Sequence, residues 1–263
     1  MMKITQYAVN AFITDQPFSG NPAAICILEN NFLPDETMQN IAFQNNLPET
    51  VFIVPVASGI YQIRWFAPAN EISLCGYATL AAAYIIFNFL ETTIQSVSLN
   101  SIGGLLSAKR HGELIELNFS AVAGDKIETP ELICRATGLT PIEVIAADDY
   151  LVILKNQSEL VNLKVDINML AKLDRRGVVF SAPGDKVDFV SRVFHPKLSI
   201  EEDSVCGSAH CQLVPYWHNI LQKNQLEALQ LSKRGGHLLC EIVHQNIYLK
   251  GRNYLYLKGE IFI

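Results

Sequence analysis

Two Cys-Gly pairs carry the first chemical signal in this chain. Cys75-Gly76 lies in ISLCGYATL, residues 72 to 80, and Cys206-Gly207 in EEDSVCGSAHC, residues 201 to 211. Each pair falls where a loop is expected to turn into an apolar helix. The first turn of a helix has free N–H groups and the positive end of the macrodipole, and a glycine lets a ligand approach the backbone. One such turn alone reads as a tight turn. Two matched turns beside acids favour a cradle for a small carboxylate. A paired site also suits a carbon acid that loses a proton to one base and regains it from another. The candidate bases are Cys75 and Cys206, or carboxylates that break the symmetry. Glu49, in Asn46-Leu47-Pro48-Glu49-Thr50, sits at a helix–strand corner. Burial there would raise its pKa and suit it to general acid/base work, although spacing alone weighs a solvent-facing role equally. Asp203, three residues before Cys206, complements a helix start whether or not it also acts in catalysis. His210, in the first turn of the second helix, could shuttle a proton, with a packed or hydrogen-bonded histidine the stronger reading. Glu71, Glu201 and Glu202 read as solvent-facing or structural.

The elements that must position these residues occur twice. Val51-Phe52-Ile53-Val54-Pro55 returns as Val179-Phe180-Ser181-Ala182-Pro183, and Arg64-Trp65-Phe66-Ala67-Pro68 as Arg192-Val193-Phe194-His195-Pro196, both at an offset of 128. Cys75-Gly76-Tyr77-Ala78 returns as Cys206-Gly207-Ser208-Ala209 at 131. Three matches in order at nearly one offset favour internal duplication. By the same offset Glu49 matches Gly177, so only the first half carries the acid. Periodicity predicts strands over 8–13, 23–28, 50–54 and 61–66, a helix over 35–45, and a helix from about 77 to 90 that is apolar on all sides. The second half repeats this order: strands over 150–154, 178–181 and 189–194, a helix over 166–173, and a second apolar helix from about 208 to 221. Pro215 must kink that helix or cost it a hydrogen bond. The expected domains are 1–123 and 124–263, with the seam near 121–130 and the last strand able to return to the first half. Two such halves would leave a cleft between them.

Of 263 residues, 49% are apolar and 17% charged, with a net charge of −6. This composition supports a sizeable core. No basic stripe suggests nucleic acid, no apolar run is long enough to span a bilayer, and the N-terminal segment lacks the pattern of a signal peptide. A cytoplasmic protein is expected. The six cysteines show no zinc-site spacing and read as reduced thiols, mostly in the core. The histidines show no metal spacing, and Lys233-Arg234-Gly235-Gly236 is neither a P-loop nor a dinucleotide fingerprint.

Several segments together resemble the phenazine-biosynthesis PhzF-like isomerases of the diaminopimelate epimerase-like fold. They are Asn10-Ala11-Phe12, Phe18-Ser19-Gly20-Asn21-Pro22-Ala23-Ala24, Asn46 to Thr50, Arg64 to Pro68, Leu74 to Ala81, Glu202 to His210, Pro215-Tyr216-Trp217 and Ser232 to Gly236. The resemblance implies an α+β protein of two pseudo-symmetric domains, each a barrel-like β-sheet around a central α-helix. It implies a homodimer, no cofactor, no metal and a small-molecule carboxylate substrate. The family reaction it brings with it is isomerisation of trans-2,3-dihydro-3-hydroxyanthranilate by a proton shift. The family's catalytic glutamate maps onto Glu49, its aspartate before the second helix onto Asp203, and its substrate-holding backbone onto Gly76, Gly207 and Ser208. Three departures matter. Tyr77 stands where the family has His, Pro48 where Ser is frequent, and Cys206 where Thr is common. Cys75 and Cys206 together match the thiol pair of cofactor-independent racemases and epimerases of this fold. Three functions therefore stand: a Glu49-dependent isomerase, a two-thiol amino-acid racemase or epimerase, and a binding protein without turnover.

Overall fold

The computed structural model describes residues 1–198 and 200–263. The chain separates into two compact units, Met1–Asn118 with Lys250–Ile263, and Phe119–Leu249. The first crossing thus precedes the expected 121–130 seam. The C-terminal segment belongs to the first unit because it pairs antiparallel with the N-terminal strand, Lys3 opposite Phe262.

The first unit and the strand that leaves it hold β1 (Lys3–Ile13), β2 (Asn21–Ile27), α1 (Asp35–Asn45), β3 (Glu49–Ala57), β4 (Ile60–Phe66), β5 (Glu71–Ile72), α2 (Gly76–Ile85), β6 (Ser96–Ser101), β7 (Gly104–His111) and β8 (Leu114–Ser120). The second holds β9 (Asp125–Ile127), α3 (Glu131–Thr137), β10 (Glu143–Ala146), β11 (Tyr150–Ile153), α4 (Gln157–Val161), α5 (Ile167–Leu170), β12 (Val178–Pro183), β13 (Phe189–His195), β14 (Ile200–Asp203), α6 (Gly207–Leu221), β15 (Gln225–Gln230) and β16 (Gly236–Val243). The long β17 (Asn246–Phe262) returns the chain to the first unit.

In the first unit β2 and β3 are parallel, β3 and β4 antiparallel, and β4 and β6 parallel. Strand β1 pairs with β2 and β17, and β8 pairs with β17. This closes a barrel-like sheet. Helix α2 buries every residue from Tyr77 to Ala83, and Ile85. Such a helix has no polar face and is stable only when surrounded. Each large side chain on it, such as Leu80, contributes about 1.5–3 kcal/mol of burial. The helix expected to run to residue 90 changes at Ile86–Leu90 to a single π turn.

The second unit repeats this order. Strands β11 and β12 are parallel, β12 and β13 antiparallel, and β13 and β15 parallel. The register repeats as well: Thr50 faces Phe66, and Val178 faces Phe194, each 128 residues on. Phe52 meets Phe66 edge-on at 5.6 Å, and Phe180 meets Phe194 at 5.7 Å. Arg64 grips Glu71 with two hydrogen bonds, and Arg192 grips Glu202 likewise. Glu71 and Glu202 are therefore structural. Each arginine also lies over the phenylalanine two positions on, Phe66 or Phe194. The expected helix over 166–173 shrinks to α5, which Asp166 caps by accepting from the Met169 N–H. Pro215 sits within α6. It has no N–H for the Cys211 carbonyl, which instead accepts from Val122 N at 2.9 Å.

Phe12 is fully buried at φ 56°, a costly conformation for a bulky side chain. A Cβ on Gly251 would lie 2.3 Å from the Phe12 ring. Gly251→Ala is expected to lower stability by about 1–3 kcal/mol through overpacking. A urea midpoint equal to wild type would refute this.

Candidate active site

The chain delivers Glu49 through a short corner. Helix α1 ends at Asn46 in the left-handed conformation (φ 48°), with its N–H on Ala42 O at 3.1 Å. Two residues separate this cap from β3, which starts at Glu49 beside Ala23 of β2. Glu49 is 8% exposed. Its carboxyl thus belongs to the interior.

The other expected residues of this unit gather at the start of α2. Cys75 is the N-cap in extended conformation, Gly76 is the first helical residue, and Tyr77 is buried. Thr79 Oγ1 donates to the Cys75 carbonyl at 2.6 Å.

In the second unit Cys206 is the N-cap of α6, again extended, followed by Gly207 and Ser208. His210 occupies the place of Thr79, 131 residues on, and repeats its bond: Nδ1 lies 2.7 Å from the Cys206 carbonyl. A carbonyl only accepts, so Nδ1 carries the proton. Burial pushes His210 down to about 4, so it is neutral near pH 7. Its Nδ1 proton is committed to the backbone.

The loop before α6 is tied from β15. Fully buried Gln230 accepts from Cys206 N at 2.9 Å and donates to Asp203 O at 2.7 Å. Ser232 donates to Ser204 O at 2.7 Å. Burial, reinforced by the Asp203 charge, pushes the Cys206 thiol well above its usual range. The helix start therefore does not give Cys206 the depressed pKa that a thiolate base needs. All six cysteines are free, and all but Cys134 are buried.

Three residues that sequence reasoning missed stand around Cys206. Asp149 is fully buried. It accepts from Arg176 Nε at 3.0 Å, again from the Arg176 guanidinium, and from His195 Nε2 at 3.3 Å. Burial alone would raise its pKa, but the bonds from His195 and Arg176 prevail and hold it at about 2. Asp149 is therefore a carboxylate at neutral pH. It can only accept, so His195 Nε2 carries a proton. Arg176 also reaches Ser208 Oγ at 3.2 Å, and Ser208 Oγ lies 3.3 Å from Cys206 Sγ. The ligand-type atoms of His195, Asp203 and Cys206 lie within 4.8 Å of one another. Such a set can handle protons or ligate a soft metal. The bond from His195 Nε2 to Asp149 favours proton handling. The one sequence signal for this cluster was Gly177, which stands opposite His195 where the first half has Glu49.

Among the described residues, no helix is long and apolar enough to cross a membrane. Residues 9–259 match the family described as "Phenazine biosynthesis-like protein". An uncharacterized isomerase of Pseudomonas aeruginosa is 38% identical, with all of both chains covered. The crystal structure of a phenazine biosynthesis PhzF-family protein from Enterococcus faecalis is 40% identical, covers all of both chains and superposes with a TM-score of 0.96. A hydroxyproline epimerase from Agrobacterium vitis shares the fold alone, at 11% identity and a TM-score of 0.62, over 98% of this chain and 92% of its own. The two-unit α+β fold, its repeated strand order and these matches place the chain in the phenazine biosynthesis-like (PhzC–PhzF) family.

Proposed function

We propose that this protein is an isomerase that moves a proton on a small cyclic or amino-acid-like carboxylate, with Glu49 as the general acid/base. The observation that carries this reading is the burial of Glu49 at the first residue of β3. A carboxyl taken out of water at a fixed corner is poised to exchange a proton with a carbon acid. The isomerase relative supports the reaction class. In this reading Gly76, Gly207 and Ser208 bind substrate through their backbone, and Asp203 assists. Tyr77 contributes a hydrogen bond in place of the family's histidine. The substrate is small, no cofactor takes part, and the working protein is a homodimer.

The two-thiol racemase is the second reading. It is favoured by the identical N-cap placement of Cys75 and Cys206 and opposed by the raised pKa of Cys206. The two part cleanly in D₂O. Wild type, Cys75→Ser and Cys206→Ser are incubated with trans-2,3-dihydro-3-hydroxyanthranilate and with a panel of amino acids, and deuterium at carbon is read by mass spectrometry. Expected is deuterium in the cyclic compound, retained by both serine variants within about threefold. Loss of about 100-fold or more in either variant, with label in an amino acid, would install the thiol mechanism. No label in any compound would favour a binding protein without turnover.

A further inference from the structure

Glu49 and Ala67 close one end of the β3–β4 pair, one position beyond Thr50 and Phe66. Gly177 and His195 close the same end of β12–β13, beyond Val178 and Phe194. The first unit thus places an acid opposite a small residue, and the second a small residue opposite a histidine. The exchange is steric. A Cβ on Gly177 would lie 2.3 Å from His195 Cδ2 and 2.4 Å from Phe194 O. The imidazole fills the space that a side chain at the Glu49-equivalent position would need.

A second observation is independent of the repeat. His195 is 3% exposed and bonds to Asp149, which precedes β11. The residue beside Glu49 in the first unit is Ala23, so the carboxylate–imidazole pair exists only where the ionisable group is the histidine. Asp203 from β14 and Cys206 from the start of α6 stand within 4.8 Å of the imidazole, and Arg176 stands behind Asp149. Among the described residues, these charged and titratable groups face or adjoin His195.

We propose that His195, oriented by Asp149, is the second unit's counterpart of Glu49, a positioning residue that relays protons to and from Asp203. The proposal rests on the isomerase reading. The balance is simple: Glu49 takes a proton from one substrate carbon and passes it to water, Asp203 delivers a proton to a second carbon and is reprotonated through His195, and His195 recovers its proton from water, so every group ends as it began. With Nε2 donating to Asp149, Nδ1 is the acceptor that takes up a proton and returns it.

The test uses the full chain and trans-2,3-dihydro-3-hydroxyanthranilate, with His195→Gln, Gly177→Ala and the double variant. Gly177→Ala keeps the imidazole but displaces it, so it serves even where His195→Gln fails to fold. Expected for both is a kcat about 100-fold lower, with KM within twofold and one limb of the pH–kcat profile lost. The double variant should be no slower than either single. Wild-type kcat and pH profile in a folded His195→Gln or Gly177→Ala protein would overturn the relay. Should wild type not convert this compound, the proposed reaction on it fails separately. The relay is then read from ¹⁵N NMR of the His195 ring. A single Nε2–H tautomer that becomes mixed in Asp149→Asn supports it, and mixed tautomers already in wild type overturn it.

Discussion

Glu49→Gln abolishes nearly all proton exchange, with a loss of roughly 10²–10⁴-fold, the usual contribution of a positioned general acid/base. The amide has the shape of the carboxyl, so the buried corner before β3 stays filled. The substitution removes the ability to take and return a proton. The loss should therefore appear in kcat with little change in KM, as for an interaction used in the transition state alone. Stability should stay within about 1 kcal/mol of wild type, since the swap leaves no cavity. Deuterium exchange under saturating substrate, together with thermal unfolding of the same samples, decides the matter. Exchange within threefold of wild type in a folded Glu49→Gln protein would remove Glu49 from the mechanism.

Asp149→Ala is the largest expected loss of stability, about 3–5 kcal/mol. Asp149 is fully buried and takes hydrogen bonds from Arg176 and His195. Its removal leaves the Arg176 guanidinium without its carboxylate and opens a hole beside His195. The loss must also depend on pH. The native carboxyl titrates near 2, below its ordinary 3.8. A depressed native pKa stabilises the fold above the unfolded value, and this contribution fades as pH falls from about 4 toward 2. A shift of this size is worth about 2 kcal/mol. Urea unfolding of both proteins at pH 7 and pH 3 should show the gap narrowing at the lower pH. A gap of the same size at both values, or none at pH 7, would show that the ion pair does not stabilise the fold.

Much of the architecture was legible because the repeat is written in core residues. Val51 and Val179, or Phe66 and Phe194, occupy the same register in two sheets, and a buried register tolerates few alternatives. The helix starts at Gly76 and Gly207 were legible for a similar reason, since a loop must turn at an extended N-cap before an all-apolar helix. The Asp149–Arg176–His195 cluster was not. Its members are far apart in sequence, and each matches a residue without charge in the first half: Ala23, Pro48 and Ala67. A pattern built on repetition is blind to what only one copy has. Strand pairing brings these residues together, and no local spacing records it. The raised Cys206 pKa was not legible either, because a helix N-terminus lowers a thiol pKa only where burial and a nearby carboxylate do not outweigh it. Here Asp203 adds to the penalty.

The return of the C-terminal strand to the first unit has a consequence for biogenesis. A ribosome emits a chain from its N-terminus, and domains ordinarily fold in that order. Here the second unit is a continuous segment, Phe119–Leu249, while the first lacks its closing strand until Lys250–Ile263 has emerged. Until then β1 presents to the cell the edge that β17 will cover, and an uncovered edge invites pairing with other chains. The later-made half therefore matures first, and the earlier-made half waits with its barrel open.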